Sequence, residues 1–169
     1  MAMTRTKTAA KATSANSAPA SAKSTETSPA NTDPAQCPGQ SLVRGGVIAY
    51  LQVDGAVAAS ELYKKAFGAA EAGRQPVDEK GRTMHVHLYI NDGSLMLSDP
   101  FPEHGYPSVK PQGFDLMLRV DDIDRWFNRA ADAGLEVMMP VQDMFWGDRY
   151  GVLRDRFGVR WSFTQPIRK

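Results

Sequence analysis

His85 and His87, two residues apart, are the most chemically loaded pair in the chain. They alternate with Met84, Val86, Leu88 and Ile90, so on an extended strand the two imidazoles leave from one face and the apolar side chains from the other. With the apolar face against a helix layer, the histidine face looks into a concave interior. An imidazole titrates at about 6.5, which suits it to act as a general base, to ligate a metal together with Asp115, or to hydrogen-bond a ligand. Arg149 follows Asp148 in the stretch after Trp146. Turned inward, its guanidinium would recognise a carboxylate or phosphate through two parallel hydrogen bonds; paired with an aspartate, it would only hold the loop in shape. Arg160 shares a strand face with Ser162, opposite Trp161 and Phe163. Tyr50 shares one with Ile48 and Gln52, opposite Ala49 and Leu51. The candidate ligand-binding set is therefore Tyr50, His85, His87, Asp115, Trp146, Arg149 and Arg160, with His85 and His87 as candidate bases. His104, in a Pro-containing loop, is expected to be solvated.

The elements that must position these residues are written twice. An apolar run over 47–53 predicts a strand, and Asp54 offers an N-cap for a helix whose buried face is Ala59, Leu62, Tyr63 and Ala66, closed by Gly68. Strands are expected over 70–77, 83–90 and 94–98, the last two joined by the hairpin signal Asn91-Asp92-Gly93. The second half repeats the order: a strand over 114–120, a cap at Asp121 or Asp122, a helix burying Ile123, Trp126, Phe127 and Ala130, and a stop at Gly134. Strands over 135–141, 150–155 and 159–164 follow. Residues 51–54 and 118–121 align at an offset of 67, and Gly68 and Gly134 at 66. That period argues for duplication of one β-α-β-β-β unit. The fold class is α+β: two such modules, joined by a loop over 100–113, burying a shared core.

Composition bounds the function classes. The 169 residues carry 20 Lys and Arg against 19 Asp and Glu, a balance unlike that of a generally basic nucleic-acid binder. A single cysteine, Cys37, excludes an internal disulfide and a multi-cysteine metal site. No apolar run approaches the ~18 residues of a membrane span, so a soluble, cytoplasmic chain is expected. Residues 1–40 contain no Leu, Ile, Val, Phe, Tyr or Trp. Such a segment cannot offset a backbone ordering cost of ~1–2 kcal/mol per residue, and it is read as a disordered Ala/Ser/Thr/Pro-rich tail ahead of a domain over 45–167. Its basic, acid-poor start lacks the apolar stretch of a secretory signal, leaving a transit peptide as the alternative to a solvated leader.

The run from Phe145-Trp146-Gly147-Asp148-Arg149-Tyr150-Gly151 through Arg154-Asp155-Arg156-Phe157-Gly158-Val159-Arg160-Trp161-Ser162 resembles the C-terminal signature of PhnB-like proteins. These belong to the vicinal oxygen chelate superfamily, with glyoxalase I, extradiol dioxygenases and the bleomycin resistance proteins. Val47-Ile48-Ala49-Tyr50-Leu51, Leu62-Tyr63-Lys64-Lys65-Ala66-Phe67-Gly68, Met84-His85 and Leu95-Met96-Leu97-Ser98-Asp99 support the resemblance, which spans roughly residues 45–165. It implies a cupped, eight-stranded incomplete barrel, usually dimeric. It also implies metal ligands, typically His or Gln and Glu, on the first and last strands of each module. Counting from the strand-ending valines and the hairpin glycines puts those positions at Ile48, Leu97, Asp115 and Ser162, of which only Asp115 is a reasonable divalent-metal ligand.

The leading expectation is therefore a PhnB-like protein that binds a small organic ligand in its cup, with no cofactor and no metal, as a homodimer. A metal-dependent lyase, isomerase or dioxygenase with a relocated site at His85 and His87 is the alternative, and an interaction scaffold the third reading. The methyltransferase activity sometimes attached to PhnB-like sequences is not expected, because no Gly-rich strand–helix turn suited to S-adenosylmethionine is present.

Overall fold

A computed structural model of the chain describes residues 42–168. The disordered reading of residues 1–40, Cys37 included, lies outside the described residues. The elements run β1 (Ala49–Gln52), α1 (Ala56–Phe67), β2 (Ala70–Arg74), β3 (Val86–Ile90), β4 (Gly93–Ser98), a 3-10 turn (Pro102–His104), β5 (Leu116–Arg119), α2 (Ile123–Asp132), β6 (Glu136–Asp143), β7 (Asp148–Arg154) and β8 (Arg160–Pro166). They form two four-stranded mixed sheets, ordered β1-β4-β3-β2 and β5-β8-β7-β6, each with one parallel pair, β1 with β4 and β5 with β8. The duplicated β-α-β-β-β order is thus the observed one. The eight strands do not close into a barrel.

Strand alternation sorts each sheet into two faces. Leu51, Leu97 and Val86 lie side by side in the first sheet, as do Leu116, Trp161 and Leu153 in the second, and all of them face the helices. Aromatic side chains lock the two modules together. Phe67 and Tyr63 of α1 pack on Trp161 of β8 at ring-centroid distances of 4.4 and 4.9 Å, and Phe127 of α2 meets Phe163 at 5.8 Å. Arg129 of α2 donates to the Ala66 carbonyl at 2.8 Å, tying the end of α1 to the second helix. Trp126 is only partly buried; its indole N–H reaches Asp121 and its ring lies beneath Arg129, so it packs at the edge of the core.

Three local expectations need correction. Asp122 caps α2 through the Arg125 N–H, as the spacing suggests, but Asp54 does not cap α1. Gly55, at φ 100°, is the N-cap residue, and the capping carboxylate comes from Asp99 at the end of β4, accepting from the Gly55 and Ala56 amides. The second Asp99 oxygen accepts from the Thr83 amide, so one buried side chain joins three segments. Strand β3 begins at Val86, later than expected; Thr83 is consequently buried, and Met84, expected against the helices, is exposed. Among the described residues, no helix is long and apolar enough to cross a membrane.

Candidate functional site

A cavity of about 470 Å³ opens on the face of the first sheet turned away from the helices. Its floor is Tyr50 and Gln52 of β1 with Ser98, the neighbour of Gln52 on β4. Met84, Phe101 and Tyr106 form the walls. Phe101 and Tyr106 flank the short turn Pro102–His104, joined to each other by an isolated bridge, and the turn is stopped by Gly105 at φ 85°. Arg82 holds this turn in place. Its guanidinium donates twice to Glu103 and once to Asp78, and sits 4.4 Å from the Phe101 ring centroid. These hydrogen bonds from Arg82 hold the Glu103 carboxyl down at about 2. The cavity therefore has aromatic and thioether walls and several polar handles: the Tyr50 and Tyr106 phenols, the Gln52 amide and the Ser98 hydroxyl. Asp99 also borders it, but the backbone N–H groups already described occupy its oxygens.

The two histidines part company. His85 stands beside Tyr50, its Nδ1 3.2 Å from the Tyr50 hydroxyl, which donates to the Met84 carbonyl at 3.0 Å. His87 is buried, its Nε2 2.8 Å from Ser94 Oγ and its ring edge-on to Tyr89. Residues 42–46 lie across it. The Arg44 N–H donates to Ser94 Oγ, the Ser94 N–H donates to the Arg44 carbonyl, the Arg44 guanidinium sits 3.8 Å from the Tyr89 ring centroid, and the Tyr89 hydroxyl donates to the Leu42 carbonyl. Burial, and then the charges of His85 and Arg44, lower the His87 pKa and favour its neutral form. His85 precedes the start of β3, so the two imidazoles do not share a strand face, and neither lines the cavity; His85 touches it only through Tyr50.

In the second module, Arg160 donates its Nε toward Asp115 at 3.1 Å, across the β5–β8 pair. Arg149 is not near the first cavity. It pairs with Asp124 of α2 and lies 3.6 Å from Asp143, because Arg149, Gly151 and Leu153 share the helix-facing side of β7. The partner is thus not the adjacent Asp148, which accepts from Thr164. Trp146, half-exposed in the β6–β7 turn, packs edge-on to Phe145 and Tyr150 and does not line the Tyr50 cavity. The sequence reading did not single out Met84, Phe101, Tyr106 and Ser98 as site residues. Tyr50 and Gln52 shared a face there, but nothing in the local pattern shows that residues 101–106 fold back over them.

The sequence profile described as the glyoxalase/bleomycin resistance protein/dioxygenase superfamily matches residues 46–163. The chain belongs to this superfamily. An uncharacterized protein of Mycobacterium bovis is 41% identical over 126 residues, covering 71% of this chain and 82% of its own. Among solved structures, the protein PA1353 of Pseudomonas aeruginosa is 30% identical with a TM-score of 0.62, over 73% of this chain and 99% of its own. TnmS3, an antibiotic binding protein from Streptomyces sp. CB03234, is 26% identical with a TM-score of 0.55, over 75% of this chain and 97% of its own.

Glyoxalase-superfamily metal positions can be located on the observed register. Ala49 pairs with Leu95 and Leu116 with Trp161, so the residue on β4 that corresponds to Ser162 is Met96. Leu97, reached by counting from the hairpin glycine, is fully buried on the helix side. The one-residue slip arises because Gly93 sits in the tight Asn91-Asp92 hairpin, whereas Gly158 ends a longer turn; a slip of one reverses the face. The corrected set is Ile48, Met96, Asp115 and Ser162. Its one carboxylate is paired with Arg160, and the buried Ser162 hydroxyl has no hydrogen-bond partner. A divalent ion of the superfamily's kind needs three or more N, O or S⁻ donors, and these residues do not fit it. Among the described residues, no three His, Cys, Asp or Glu side chains gather as a ligand set elsewhere.

Proposed function

We propose that this chain binds a small organic ligand in the cavity above Tyr50 and Gln52, without the superfamily's metal. The observation that carries the reading is the cavity itself: a volume of about 470 Å³, aromatic and thioether walls, and a few polar groups from Tyr50, Gln52, Ser98 and Tyr106. This matches the general form of small-molecule sites, which run from ~300 to 1,000 Å³. The antibiotic-binding neighbour, TnmS3, supports the same reading. His85 serves to orient the Tyr50 hydroxyl. The relocated-metal alternative gains nothing from the geometry, since His87 is bonded to Ser94 beneath residues 42–46. Metal analysis of the untagged full chain tests this directly. Well under one equivalent of Zn, Ni, Fe or Mn is expected, and adding these ions should not raise the melting temperature, as binding to the folded state alone would. Stoichiometric metal that disappears in both His85→Ala and His87→Ala would establish the metalloenzyme reading instead.

The proposal includes a homodimer working in the cytoplasm. Phe145, Met117 and Val109 are exposed by 97%, 60% and 64%, and β1 and β5 are edge strands of their sheets; a second copy of the chain would cover such surfaces. Light scattering at micromolar concentration should give twice the chain mass, and a steady single-chain mass would remove the dimer from the account. The lone cysteine suits a reducing compartment.

A further inference from the structure

The Tyr50 cavity has a neighbour. A second cavity of about 280 Å³ is lined by the same Tyr50 and Gln52, together with Val109, Lys110, Pro111 and Phe114 of the segment that returns from the Pro102–His104 turn to β5. Tyr50 and Gln52 line both spaces, so the two adjoin at these residues. Tyr50 is fixed in that position by its hydrogen bonds to the Met84 carbonyl and His85.

The two spaces differ in chemistry. The first is walled by Met84, Phe101 and Tyr106, and its only carboxylate, Asp99, is occupied by three backbone N–H groups. The second carries Lys110. Among the described residues, Lys110 is the one cationic side chain lining either of these two cavities, and it makes no ion pair. By contrast, Arg82, Arg149, Arg154 and Arg160 are all committed to carboxylates.

We propose that the two cavities are one divided site and that its ligand is an organic anion, with an apolar or aromatic body against Met84, Phe101 and Tyr106 and an acidic group at Lys110. The inference rests on the small-molecule reading above. An aromatic body gains by leaving water against aromatic and thioether walls, independently of its charge. The ammonium adds a charge-assisted contact that only an anion can use, and it disfavours a cationic ligand at the same place. Body and charge thus make separable contributions.

Two dyes that share one skeleton separate them. N-phenylnaphthylamine is uncharged, and anilinonaphthalene sulfonate is the same rings with an acid attached. Each is titrated into the full chain by fluorescence, with competition between the two showing a common site. The sulfonate should bind about fivefold more tightly than the neutral dye, the factor that ~1 kcal/mol from an exposed ion pair supplies. Lys110→Gln should bring the ratio of the two dissociation constants to about one, and Lys110→Glu should invert it. The preference should also shrink as salt is added. If the wild-type ratio is already near one, or if Lys110→Gln leaves it unchanged while the neutral dye still saturates, the organic-anion inference is wrong and the cavity reading survives. If neither dye saturates, the small-molecule reading fails and this inference falls with it.

Discussion

Asp155→Ala should cost about 3–5 kcal/mol of folding stability in urea unfolding, a large share of the ~5–15 kcal/mol that holds a typical domain folded. Asp155 is 4% exposed, at the end of β7. One carboxylate oxygen accepts from the Tyr63 hydroxyl at 2.7 Å and from the Trp161 indole N–H at 3.0 Å; the other accepts from the Phe157 and Val159 amides, both at 2.9 Å. Removing it strands four donors at once, three of them buried and the Phe157 amide partly so. Two of them belong to the aromatic cluster through which α1 of the first module packs on β8 of the second. Tyr63 reports the same environment: burial, and then the adjacent Asp155 charge, push its hydroxyl well above the ordinary tyrosine range, so it remains a donor at every physiological pH. Asp155→Asn keeps the shape but replaces one acceptor with an amide donor facing donors, and should fall between wild type and Asp155→Ala. A loss below about 1 kcal/mol for Asp155→Ala would show that the contact between modules does not depend on this carboxylate.

The repeat was legible because it is written in periodicities that survive folding. Tyr63 with Ala59 and Ala66, and Ile123 with Phe127 and Ala130, mark helix faces that the core buries. The alternations of Ala49, Leu51 and of Trp161, Phe163 mark strand faces in the same way. The illegible features were long-range. Asp99 caps a helix that starts more than 40 residues earlier, and no local pattern announces it. Arg44, in a stretch with no strand or helix signal, bonds the same Ser94 hydroxyl that holds His87, and His85 falls before the start of β3, so a pair that an unbroken strand would keep together is split. Arg149 follows Asp148 in sequence, but alternation along β7 aims it at α2. Leu97 shows the cost of counting from a turn: two hairpins of different length put equivalent-looking glycines one residue out of phase. The candidate site was half visible. Tyr50 was found from its strand face, whereas the walls formed by Phe101 and Tyr106 depend on Arg82 meeting Asp78 and Glu103, contacts that only the fold creates.

The second large effect concerns Tyr50, and it bears on the central claim that the cavity binds an organic ligand with no metal involved. Tyr50 is half-exposed at 52%, borders both compartments and supplies no core packing, so its truncation should leave the melting temperature within a degree or two of wild type. Binding should suffer far more. Loss of an aromatic face and a hydroxyl from the floor removes at least ~1.4 kcal/mol, or about tenfold in affinity. The decisive measurement is a fluorescence titration of N-phenylnaphthylamine into the chelator-treated full chain, wild type beside Tyr50→Ala. The account predicts one saturable site per chain that the chelator does not affect, and binding at least about tenfold weaker in the variant. Binding that vanishes with the chelator and returns with an added divalent ion, or an affinity untouched by Tyr50→Ala, would contradict it.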